Sequence, residues 1–256
     1  MEYADVKKLK LPDLPGVYFF RDARKKILYI GKATSLRDRV RSYFSPDLAE
    51  TRSPLVEAMV QNSASVTVQE TGSVLEALLL EAQLIKKHKP SHNTDGKDDK
   101  SHNFVVITDE KFPRVLVRRE RDLATDSAAL RHAKKKVSKE KAKYIFGPFP
   151  HGSQLKEAVK IIRGIFPFRD SCTPNSGKPC FNRQIKLCPG VCSGEISETE
   201  YKKNIRNIKL FFEGKKGSLL KTLEKEMILA AHKLEFEEAQ KIKETIFALN
   251  HIQDVA

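Results

Sequence analysis

The chain has 256 residues, 40% of them hydrophobic, enough for one large or two small cores, so a disordered tail is excluded. Lys and Arg outnumber Asp and Glu by 47 to 33, a formal charge of +14, which favours a polyanionic partner such as nucleic acid. No run of about 18 apolar residues is present and the amino terminus MEYADVKKLK has no apolar signal core, so no membrane partner is expected and the chain is read as cytosolic.

In chain order, GVYFF and KILYIG read as two short strands, with the charged connection RDARKK between them suited to an antiparallel hairpin. Tyr18 and Tyr29 then lie on neighbouring strands. Thr34 and Ser35 are candidate caps for a helix that carries Leu36, Val40 and Phe44 on one face, and Arg39 and Tyr43 on another. A second short helix is expected over Pro54 to Asn62, a third strand at SVTVQET, and a long amphipathic helix at SVLEALLLEAQLIKKHK, stopped by Pro90. After a polar loop come the strand-like runs FVVIT, RVLVRR and YIFGPF, the last two separated by a Lys-rich, solvated excursion. GSQLKEAVKIIRGIF reads as another amphipathic helix, followed by a segment holding all four cysteines. From about Glu200 the chain is expected to be helical, interrupted at Gly214 and Gly217 and closed by a two-helix hairpin with Phe236 at its turn. The fold class is α+β: a small, mainly antiparallel sheet flanked by helices, a mixed cysteine-containing region, and a helical hairpin. The expected divisions are 1–96, 97–170, 171–195 and 200–256, with the hairpin motif at about 219–254.

Two glutamates of the long helix have different prospects. Ser73 and Glu76 form the S-x-x-E pattern of a capping box, a structural role. Glu81 falls among Ala77, Leu78, Leu84 and Ile85, where a carboxylate is costly unless paired or metal-bound; the alternative is a side chain that snorkels to water or pairs with Lys. Cys172, Cys180, Cys188 and Cys192 lack the close C-x2–4-C pairs of a zinc ribbon, and a cytosolic chain is a poor place for structural disulfides. Four thiols this close suggest a four-thiolate site for iron–sulfur or zinc, the alternative being four separate thiols.

Taken together, GVY…YIG, Lys32, Arg39, Tyr43, Glu81 and Asn93 resemble the GIY-YIG nuclease module. The runs EALLLEAQLIKKHKPSHN, FGPFP, FPFRDSC, PCFNRQIKLCPGVC and FEEAQKIKETIFAL then follow, in order, the N-terminal half of the bacterial UvrC excinuclease family. The resemblance implies a divalent-metal endonuclease that nicks lesion-bearing double-stranded DNA on the 3′ side, delivered by a UvrB-type helicase. It implies Tyr18, Tyr29, Lys32, Arg39, Tyr43, Glu81 and Asn93 as the catalytic set, with Glu81 on Mg²⁺ or Mn²⁺. Arg39 would neutralise transition-state charge, and a tyrosine whose pKa is lowered near Lys32 and the metal would serve as general base; the pattern does not separate the tyrosines, and Tyr29 is favoured, with Tyr18 orienting water or phosphate and Tyr43 supporting the site. The four cysteines would hold a 4Fe–4S cluster, with zinc the alternative, and Phe236 would meet UvrB. His92 departs from the Tyr usual beside the Asn, and the Lys-rich stretch 131–143 is longer than usual. No second nuclease module follows, so a 5′ incision is not expected. The alternatives are a non-catalytic repair adaptor that binds UvrB or DNA, and a stand-alone structure-specific GIY-YIG nuclease.

Overall fold

A computed structural model describes residue 6 and residues 9–44, 54–94, 102–124 and 141–252. The chain forms two compact units, one up to residue 100 and one from 101 to 252.

In the first unit β1 (Gly16–Arg21) and β2 (Ile27–Ala33) form the expected antiparallel hairpin, and β3 (Ser65–Glu70) joins the other side of β1, giving the order β2-β1-β3. Alternation decides the two faces. Tyr18, Phe20 and Ala33 point into a core with Leu36 and Val40 of α1 (Leu36–Ser42) and Met59 of α2 (Pro54–Asn62). Val17, Phe19 and Ile30 pack on the opposite side against Ala77 and Ile85 of α3 (Val74–His88). Ser35 caps α1 by accepting from Asp38 N–H. Ser73 caps α3 through Glu76 N–H, while the Glu76 carboxylate accepts from Gly72 N–H, one residue before the position that the capping-box reading gives it. The helix ends at Lys89, whose left-handed backbone precedes Pro90; α4 (Ser91–Thr94) follows.

The second unit is built on the antiparallel order β5-β4-β6, from β4 (Asn103–Thr108), β5 (Val115–Arg119) and β6 (Ala142–Phe149). The Lys-rich excursion lies largely outside the described residues; its start is a short helix, α5 (Glu120–Ala124), that the composition does not suggest. Helix α6 (Gly152–Ile165) buries Leu155, Ala158 and Ile162, the i, i+3, i+7 stripe of an amphipathic helix. The short α7 (Phe181–Gln184) lies within the cysteine segment. Helix α8 (Glu198–Phe212) starts at a full capping box between Ser197 and Glu200, for which ISETE carries the S-x-x-E sign. Helices α9 (Lys216–His232) and α10 (Phe236–Asn250) form the hairpin. None of the described helices is long and apolar enough to cross a membrane.

Candidate active site and cysteine centre

The β1–β2 register explains the two triplets. Tyr18 lies opposite Gly31, and a Cβ at residue 31 would collide with the Tyr18 ring and hydroxyl. A Cβ at Gly16 would meet the Gln69 carbonyl of β3 and the Leu36 side chain. The glycines thus give Tyr18 a bed on β2 and let β1 seat against β3. Tyr29 is the diagonal neighbour of Tyr18, with ring centroids 6.1 Å apart. Tyr43, just past α1, brings its ring to 5.8 Å from Tyr18 and 6.4 Å from Tyr29, and the hydroxyls of Tyr18 and Tyr43 are 2.9 Å apart. The Arg39 guanidinium lies over the Tyr43 ring at 5.3 Å, as expected of the face they share.

Glu81 enters this cluster from α3. It is 2% exposed; its Oε1 accepts from Lys32 N–H at 3.0 Å, and its Oε2 has no hydrogen-bond partner among the described residues. The snorkelling alternative is thereby excluded. Burial raises the Glu81 carboxyl to about 7, against the opposing pull of Lys32 and Arg39. Burial lowers the Lys32 ammonium, partly offset by Glu81. Burial opposes the charge on Arg39, but the oxygens of Tyr18 and Tyr43 outweigh it and keep the guanidinium cationic.

Two further features of the cluster follow from this geometry. Tyr29 is not lowered by its protein neighbours: burial, then Tyr43 and Glu81, push its hydroxyl well up, as burial does for Tyr18. Asn93 does not face the cluster with a free amide. Its Oδ1 accepts from Ile30 N–H and its Nδ2 donates to Ile30 O, both at 2.8 Å, so it ties α4 to β2. Nothing in the local sequence announces a bond across 63 positions. His92 beside it is half-buried, its Nδ1 unpaired among the described residues.

In the second unit the sulfurs of Cys172, Cys180, Cys188 and Cys192 lie within 4.8 Å of one another, and none is in a disulfide. Separate, unrelated thiols are excluded. Cys180 N–H donates to Cys192 Sγ at 3.2 Å; burial raises the Cys192 thiol, but this bond and those from the neighbouring thiols bring it below its ordinary value. Cys172 is pushed well up by burial and by the other three sulfurs.

The segment is held by two arginines that sequence reasoning missed. Arg169, 4% exposed, donates to the Phe112 and Cys172 carbonyls and pairs with Glu110. Arg163 donates to the Leu187 and Phe168 carbonyls and pairs with Asp170 at 2.7 Å. An arginine within the apolar run FPFRDSC was the available signal.

At the hairpin, Leu219, Leu223, Ala230 and Leu249 are buried, whereas Ile228, Leu229, Leu234, Phe236 and Phe247 are exposed. Phe236 opens α10 and is 64% exposed.

Residues 14–94 match the UvrC-like GIY-YIG domain, 104–211 the UvrC/Cho excinuclease middle domain and 217–252 the UvrB/uvrC motif. The UvrABC system protein C of Carboxydothermus hydrogenoformans is 40% identical over 250 residues, covering 96% of this chain. The chain belongs to the UvrC family. It spans 38% of the length of that relative and 37% of the UvrABC system protein C of Moorella thermoacetica, to which it is 37% identical over 96% of its own length. The magnesium-bound GIY-YIG N-terminal endonuclease domain of UvrC from Thermotoga maritima aligns at 34% identity, covering 35% of this chain and 97% of that one with a TM-score of 0.31.

Proposed function

We propose that the first unit of this UvrC-family chain is a divalent-metal-dependent DNA endonuclease that hydrolyses a phosphodiester on the 3′ side of a lesion, brought there by a UvrB-type partner. The observation that carries this reading is Glu81 Oε2, a buried carboxylate oxygen with no partner among the described residues, beside three tyrosines and an arginine. Leaving such an atom unsatisfied is costly, and a hard cation that keeps most of its waters needs one such oxygen. Glu81 would hold Mg²⁺ or Mn²⁺. Bound there, the cation would polarise a phosphoryl oxygen and would supply the positive charge that lets Tyr29 give up its proton.

The remaining work is done by the chain's own residues. Arg39 presents a guanidinium to the charge that develops on phosphorus. Lys32 holds Glu81 in place through its N–H and adds a second cation. Tyr29 is assigned as proton acceptor from the attacking water, with Tyr18 and Tyr43 orienting through their paired hydroxyls. Asn93 acts as a positioning residue for β2.

The four cysteines are read as the ligand set of a metal centre. UvrC resemblance favours a 4Fe–4S cluster; the observed spread is nearer a single tetrahedral zinc, whose Zn–S length sets sulfurs about 3.8 Å apart. Bound iron with visible absorbance, lost in Cys188→Ser, supports the cluster, and stoichiometric zinc alone replaces it. The exposed apolar stripe around Phe236 is the docking face for UvrB.

The deciding experiment is a nicking assay on lesion-bearing duplex with purified UvrB and Mg²⁺. Glu81→Ala and Arg39→Ala should each abolish nicking without loss of DNA affinity. UvrB binding without any nicking by the wild-type chain would leave the adaptor reading in its place.

A further inference from the structure

Within the first unit, the turn of the β1–β2 hairpin and the C-terminal end of α3 enclose a cleft of about 500 Å³. Arg21, Lys25, Lys26, His88 and Lys89 line it, and among the described residues no carboxylate does. Among the described residues none of Lys25, Lys26, His88 and Lys89 is ion-paired, and all four are exposed. The Asp22 carboxylate of the same turn is occupied by Arg24 N–H and Lys26 N–H.

Complementing the C-terminal dipole of α3 would be reason enough for lysines there, but Lys86, Lys87 and His88 of its last turn already do so. Arg21, Lys25 and Lys26 arrive from a different element. Two of the lysines also sit where lysine is a poor choice: Lys25 has φ 63° and Lys89 φ 45°, left-handed positions that Gly or Asn fill at lower cost. Two unfavourable lysines on separate elements, converging on one cleft with no acid among its described lining residues, mark a place where the ammonium groups themselves are used.

We infer that this cleft binds backbone phosphates of duplex DNA a few nucleotides from the bond being cut. The identity of that bond rests on the nuclease reading above; the phosphate site does not. The seven helical steps from Glu81 to His88 span about 10 Å, and the five strand steps from Ile27 to Lys32 about 17 Å. With about 3.4 Å of axial rise per nucleotide on one strand, the cleft falls roughly three to five nucleotides from Glu81. Lysine and arginine bound to phosphates at that remove position the duplex without reading its sequence.

The test is binding of the full chain to bare duplex, without divalent cation, across 50–200 mM salt. The pair Lys25→Gly with Lys89→Gly removes both ammonium groups and eases both left-handed positions, so its melting temperature should hold or rise. The slope of log affinity on log salt should become shallower by about 0.9 for each phosphate-bound ammonium removed, or about 1.8 for the pair. Lys156→Ala with Lys160→Ala on the exposed side of α6 removes the same charge and should leave the slope near wild type. An unchanged slope in the cleft variant, or an equal change in the α6 variant, overturns the proposal; an acidic protein as the real occupant gives the first of these. Nicking is scored apart. A wild-type chain that never nicks but shows the slope difference keeps the cleft and loses the nuclease, and one that nicks with no slope difference does the reverse.

Discussion

The carboxyl of Glu81 couples the site to pH. Its folded pKa of about 7 stands above the ordinary 4.5, so between those values the folded chain holds a proton that the unfolded chain has released. Stability from this group is complete below about 4.5 and is lost as pH rises through 7, a loss on the order of 3 kcal/mol. Glu81→Gln should flatten that fall, seen as a smaller drop in melting temperature from pH 4.5 to 7.5 than in wild type. Mg²⁺ should stabilise the wild type most above pH 7, and Glu81→Gln not at all. A second residue-scale prediction concerns Gly31. Gly31→Ala pushes the Tyr18 ring off β2, which should lower stability by about 1–3 kcal/mol in denaturant titration and abolish nicking. Glu81 was legible because it interrupts an apolar stripe, and Tyr18 and Tyr29 because GVY and YIG stand a hairpin apart; Lys32, Arg39, Tyr43 and Asn93 were placed with them by resemblance to the GIY-YIG module. The direction of the Tyr29 shift was not legible, because burial outweighs a neighbouring lysine and burial is not written in the local sequence. Asn93 was placed as a member and not as a clamp, since its partner is a main-chain group.

At the scale of elements, α3 carries both a cap and the carboxylate proposed to hold the cation, and the two can be separated. Glu76→Ala removes the bond to Gly72 N–H and should cost about 1 kcal/mol in thermal or chemical unfolding, while the nicking rate per folded molecule is retained. A nicking loss larger than the loss of folded protein would place Glu76 in the site. The helices and strands were readable for different reasons: GVYFF and FVVIT are short β-branched and aromatic runs, β1 being buried on both faces, and α3, α6 and α8 repeat every three to four residues. The cysteine segment has no period. Its shape comes from Arg163 and Arg169 reaching main-chain carbonyls of Leu187, Phe168, Phe112 and Cys172. Side chain to backbone bonds of that kind leave only an out-of-place arginine in the sequence. The short α5 was missed because its residues are charged on every side.

For the molecule as a whole, the hairpin proposed to meet UvrB and the charge proposed to meet DNA predict different losses. Phe236 is exposed, so Phe236→Ala should leave melting unchanged yet weaken UvrB binding by about 2 kcal/mol, roughly 30-fold in dissociation constant, as an interface anchor does. Titration calorimetry against UvrB measures it, and a lowered melting temperature with normal UvrB binding would make the hairpin internal packing only. The register of β2 has one more consequence, for molecules meeting each other. β2 is an outer strand of its sheet, and such strands invite pairing with another chain. Ile30 N–H and Lys32 N–H are two residues apart on one strand and point the same way. Asn93 takes the first, together with the Ile30 carbonyl, and Glu81 takes the second. The two side chains stand in for the missing neighbouring strand, so the carboxylate assigned to the cation also guards a sticky border against aggregation.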